Sequence, residues 1–133
     1  MVKYTFANLD QWTKKTQRRI DAVLKDATQS VVAVAQTPKA KGGRMPVDTG
    51  MLRNSLTSSV AGGAAGQGAE SYIMAAAGIK GGDVATFTWT AEYAAAVNNG
   101  REGRPGAHFV EGAVDQWPAI VRASIAKAKA AVG

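Results

Sequence analysis

The chain has 133 residues, no cysteine and a formal net charge of +6. That length fits one domain able to bury roughly two-thirds of the surface its unfolded form exposes. The lack of cysteine excludes disulfides, thiolate metal sites and cysteine nucleophiles, and suits a protein made and used in a reducing cytoplasm. No run reaches the roughly 20 apolar residues needed to span a bilayer, so a soluble protein is expected. Residues 1–66 hold ten Lys/Arg against four Asp/Glu, whereas residues 67–133 hold six against six. The basic half can face nucleic acid or an acidic protein, or be a solvated helix face with a solubilising loop.

From Leu9 to about Gln36, apolar residues recur at three- and four-residue steps through Leu9, Trp12, Ile20, Val23, Leu24, Ala27, Val31, Val34 and Ala35. The spacing predicts one long amphipathic helix, with Asn8 as its N-cap and Asp10 in its first turn. Such a helix is about 42 Å long, whereas a compact domain of this size is only about 36 Å across. One end is expected to overhang, a modest argument for oligomerisation. The next segment, about 37–46, holds turn formers and the cations Lys39, Lys41 and Arg44, and Thr37 to Arg44 has no hydrophobic anchor. A mobile basic contact loop is expected there.

Pro46-Val47-Asp48-Thr49-Gly50-Met51-Leu52-Arg53-Asn54-Ser55 packs a stop, a tight turn and a new start into ten residues. Pro46 ends whatever precedes it, Asp48 and Thr49 can bond to backbone N–H groups just ahead, and Gly50 supplies positive φ or close approach. Met51, Leu52 and Leu56 offer anchors, with Arg53 and Asn54 left to solvent. Read locally, this is a capped turn. Strands are expected at Ser55 to Ala61, Tyr72 to Ala77 and Val84 to Thr90. In the last, Val84, Thr86, Thr88 and Thr90 lie opposite Ala85, Phe87 and Trp89.

Gly62 to Gly68 reads as part of a second flexible loop, about 62–70, and Gly78 to Asp83 as a turn between antiparallel strands. Glu92 to Asn98 reads as a short helix stopped by Asn99-Gly100. From Val110 onward a helical phase persists that Pro118 must kink or split, with Lys127 and Lys129 near its final turns. The class is therefore α+β in one domain, residues 1–133, with a long N-terminal helix and a C-terminal helix packed on a small antiparallel sheet.

Catalytic groups are sparse. His108 is the single histidine and no carboxylate is spaced to orient it, which favours a loop or capping role over general base. The ten carboxylates form neither an Asp-rich metal loop nor a histidine-assisted pair, so neither an enzyme nor a cofactor or metal site is expected. Trp12, Trp89 and Trp117 sit in phase with apolar neighbours and read as packing residues.

The chain resembles the neck and tail-completion proteins of long-tailed bacteriophages. The resemblance rests on the Pro46–Ser55 motif, with Pro46, Asp48, Thr49, Gly50, Leu52 and Arg53, followed by Tyr93-Ala94 leading to a glycine and by Phe109 opening the last helix. A Glu-x-Gly-Thr-like turn usual after the Tyr-Ala pair is replaced by Asn98-Asn99-Gly100-Arg101. The resemblance implies a structural virion protein that forms a ring at the head-to-tail junction, assembled in the host cytoplasm. Its implied partners are further copies of itself, as a hexamer or dodecamer, and the adjacent head-closure or connector and tail-tube or tail-terminator proteins. DNA would pass transiently through the lumen, with no membrane partner. The alternatives are a minor tail protein elsewhere in the tail and a basic DNA-binding module.

Overall fold

The computed structural model describes the backbone of residues 7–47, 50–101 and 103–132. Helix α1 spans Ala7–Ala35. It already contains Asn8, so the expected cap there is corrected: the helix begins ahead of that residue. From Thr13 to Ile20 its side chains are exposed or half-exposed, and the buried stripe starts further on, with Ala27, Val32 and Ala35.

The segment expected to be a mobile loop closes on itself. A 3-10 turn at Lys39–Lys41 is followed by Gly42, and Met45 N–H donates to Thr37 O (3.1 Å) while Lys39 N–H donates to Met45 O (3.0 Å). Met45 is fully buried and supplies the anchor that Thr37 to Arg44 lacks. Helix α2, Met51–Asn54, follows Gly50, whose φ is +81°. A left-handed residue there suits glycine and would strain a β-branched side chain, the role expected for this position. Asp48 and Thr49 lie outside the described residues.

Strands β1 (Leu56–Val60), β2 (Gly66–Gln67) and β3 (Ala85–Trp89) form an antiparallel sheet in the order β2-β1-β3. Leu56 pairs with Trp89 and Val60 with Ala85. Alternation places Leu56 and Ser58 in the interior and Thr86 and Thr88 in solvent, so the outer face is a row of hydroxyls. β2 gives a paired strand to the glycine-rich stretch read as a flexible connection.

Two sequence expectations fail here. Tyr72 to Ala77 is not a strand but helix α3, Ser71–Ala77. Met74 and three alanines favour helix, and the run has no period-two alternation to hold it in a sheet. Gly78 to Asp83 accordingly joins α3 to β3 rather than two strands, closed by Lys80 N–H to Asp83 Oδ2 (2.9 Å) and Gly81 N–H to Asp21 Oδ1 (2.8 Å).

Helix α4 (Ala94–Asn99) leads into a two-residue hairpin of β4 (Gly100–Arg101) and β5 (Arg104–Pro105). Helices α5 (Phe109–Val114) and α6 (Trp117–Val132) follow. The break falls at Asp115-Gln116, which puts Pro118 in the first turn of α6, where its missing N–H has no helical acceptor to lose. α1 packs against α6, α3 and α5.

Across the α1–α6 contact, the Ser124 hydroxyl donates to Asp26 Oδ2 (2.7 Å) and Lys127 Nζ lies 3.3 Å from Asp26 Oδ1. The Ser124 bond, and then Lys127, hold the Asp26 carboxyl below its ordinary range. A depressed folded-state pKa contributes stability above the unfolded value near 3.8 and loses it as pH falls through the folded value. Ser124→Ala should therefore cost about 0.5–1 kcal/mol at pH 7, discounted because Asp26 is 34% exposed. Thermal melts at pH 7 and pH 3 should show the difference from wild type shrinking in acid.

Candidate interaction surface

One apolar cluster gathers residues distant in sequence: Ala35, Met45, Leu52, Ala94, Phe109 and Ala113, with Trp89, Tyr93 and Val97 half-buried against it. Three of the residues singled out by the sequence, Leu52, Tyr93 and Phe109, thus meet in a single core. The Phe109 ring meets Trp89 edge-on, with centroids 5.2 Å apart and planes at 75°.

Beside this cluster a polar joint ties the turn to the rest of the fold. Gln36, 1% exposed, donates through Nε2 to Arg53 O and Ala69 O, both at 2.9 Å. Its Oε1 accepts from Trp89 Nε1 (2.8 Å), and its backbone carbonyl accepts from Arg53 Nε (2.9 Å). Arg53 is therefore a partner in this joint, which corrects its expected place in solvent. Met51, expected to anchor, is instead 61% exposed.

A second joint holds α4 to α5. Asn98, buried, donates to Glu111 Oε1 (2.9 Å) and accepts from Val110 N–H (3.1 Å), while its carbonyl accepts from His108 N–H (3.0 Å). Glu111's own backbone N–H and then Asn98 hold its carboxyl below the usual range. His108 precedes α5 with φ 50° and ψ 43°, and its Nδ1 lies 3.6 Å from Glu111 Oε2. The single histidine thus occupies a helix cap position, and Glu111 three residues on corrects the expectation that no carboxylate is spaced beside it. Gly106 is required by close approach, since a Cβ there would collide with Asn98 O and the Gly100 backbone.

Outside the cluster lies an open cleft of about 380 Å³ between Lys39, Pro46, Tyr93, Val97, Arg101 and Arg104. A second hollow of about 390 Å³ continues it along Pro46, Tyr93, Val97 and Arg104 to Gly50, Met51 and Leu52. Among the described lining residues there are three cations and no carboxylate. Exposed Val47 adjoins it through a further hollow shared with Lys39 and Pro46.

The basic loop is therefore divided. Lys39 belongs to the cleft, whereas Lys41 and Arg44 border another crevice with Phe109, Gly112 and Gln116, where the Arg44 side chain lies against Gly112. Arg101 and Arg104 were not identified as contact residues from sequence. The turn signals around them were legible, but only the hairpin brings them beside Lys39. Among the described residues no cluster of three or more His, Asp or Glu side chains could hold a metal ion, and no helix is long and apolar enough to cross a membrane.

Residues 6–100 match the family described as "Bacteriophage HK97-gp10, putative tail-component". The match contains the Pro46–Ser55 motif and Tyr93, and ends at Gly100, the first residue of β4, short of Phe109. No curated protein and no solved structure matches the chain. With more than two-thirds of its length matched, and with the motif's Leu52 and Tyr93 built into one core, the chain belongs to the HK97-gp10-like family of bacteriophage tail components.

Proposed function

We propose that this phage structural protein is a neck or tail-completion subunit. Copies of it form a ring at the head-to-tail junction that joins the capsid connector to the tail tube and lets DNA pass through the lumen. The observation that carries the reading is how the Pro46–Ser55 motif is anchored at its described residues. Its Leu52 is pinned in the core beside Tyr93 and Phe109, its Arg53 in the Gln36 joint, while Pro46 and Met51 border an open cationic cleft. A rigid base under an exposed surface is what a docking protein needs, since little ordering entropy is then lost on contact. The exposed and half-exposed stretch of α1 from Thr13 to Ile20 supplies further surface for neighbours in a head-to-tail ring, hexameric or dodecameric.

Deleting the gene tests the reading. Capsids and tails should form separately and fail to join, because each ring presents the surface on which the next docks. Electron microscopy of the lysate distinguishes this from a minor tail protein, whose loss leaves joined particles that adsorb poorly. A DNA-binding regulator would leave particles complete and change expression instead. Joined virions lacking only this chain would refute the neck position.

A further inference from the structure

We infer that the cationic cleft receives the α5–α6 corner of a second copy of this chain, so that each subunit offers a socket at one site and a plug at another. The inference rests on the ring reading and specifies which surfaces would meet within it. The socket is the cleft of Lys39, Arg101 and Arg104 over Pro46, Tyr93 and Val97. The three cations have no carboxylate partner among the described residues. An apolar floor between cations suits a carboxylate carried beside apolar side chains better than a phosphodiester backbone, which brings charge alone.

The chain carries that complement on its own surface. At the break between α5 and α6, Val114 is 58% exposed and Trp117 is 38% exposed, and exposed Asp115 lies between them. Asp115 makes no ion pair among the described residues, whereas the Glu111 carboxylate one turn earlier is already engaged by Asn98 and His108. Arg122, the first cation along α6, is turned back onto the Pro118 carbonyl (3.2 Å), and Lys41 and Arg44 lie in the crevice at Gly112 and Gln116, beside Asp115. No residue of the corner lines the cleft, so the contact joins two different patches and repeats from copy to copy. Each patch is small against the roughly 800 Å² per partner of a stable interface, so a single contact is weak and ring closure reinforces it.

Charge exchange tests the inference in the full-length protein by sedimentation velocity. Wild type should self-associate at high concentration and less so as salt rises. Arg101→Glu with Arg104→Glu makes both patches acidic, and Asp115→Arg makes both basic, so each variant alone should associate about tenfold more weakly. Mixed in equal amounts, the two variants again pair opposite charges and should recover most of the association. All three residues are exposed, so melting temperatures should stay within about 2 °C of wild type.

No self-association up to millimolar concentration, equal association of the separate variants, or no recovery on mixing would overturn the inference. So would a cleft variant that loses affinity for duplex DNA and keeps its self-association. Capsids and tails left unjoined by the gene deletion, together with a failed exchange, would sink this contact and leave the neck reading standing. A successful exchange with normally joined deletion virions would do the reverse.

Discussion

Replacing Gln36 with methionine should lower the melting temperature by roughly 10 °C or more, although the volume hardly changes. Methionine fills the site but makes none of the three side-chain bonds, so Arg53 O, Ala69 O and Trp89 Nε1 each lose a partner. A buried polar group left unpaired costs about 1–3 kcal/mol, and with all three partners on half-buried residues the sum is about 3–5 kcal/mol. That is a large share of the roughly 5–15 kcal/mol that holds a domain together. Gln36→Glu should be at least as damaging. It keeps the acceptor for Trp89, loses both donations and brings a charge into a site 1% exposed. A methionine variant melting within a degree of wild type would show that water takes over these bonds.

Phe109→Ala should be the costliest apolar substitution, about 3–5 kcal/mol, seen as a fall of roughly 2 M in the urea midpoint. The ring is 2% exposed, and its removal opens a cavity between Met45, Leu52 and Ala113 and deletes the edge contact with Trp89. Phe109→Leu retains most of the buried area and should cost less than half as much. Equal losses for the two variants would mean that the Trp89 contact, rather than burial, dominates.

What the sequence could reveal followed its periodicities. The long helix, the strand at Ala85–Trp89 and the split near Pro118 each have a repeat or a breaker that local chemistry reads directly. Tyr72 to Ala77 misled because a short apolar run invites reading as a buried strand, although it lacks period-two alternation and its alanines favour the helix that packs on β1 and α1. The motif residues Leu52, Tyr93 and Phe109 were legible as important, but their convergence was not, since it depends on how α2, α4 and α5 are brought together. Gln36 gave no signal at all. A glutamine at the end of an amphipathic helix reads as solvated, and its burial follows from three acceptors and donors delivered by other elements. Arg101 and Arg104 were hidden for a similar reason, because charge clusters form in space across a hairpin and a distant loop.

The bond between Ser124 and Asp26 links residues 98 positions apart, which sets a clock on biogenesis. At about 5–20 residues per second, α1 waits roughly 5–20 seconds on the ribosome before the helix that covers it has been made. During that interval the stretch of α1 around Asp26 has no α6 to meet, and a nascent chain is open to capture by chaperones or by its neighbours on the same message. Copies made side by side on one polysome would therefore be most prone to mispairing before α6 emerges, and the closing of α6 over α1 is the event that commits each copy to its own fold.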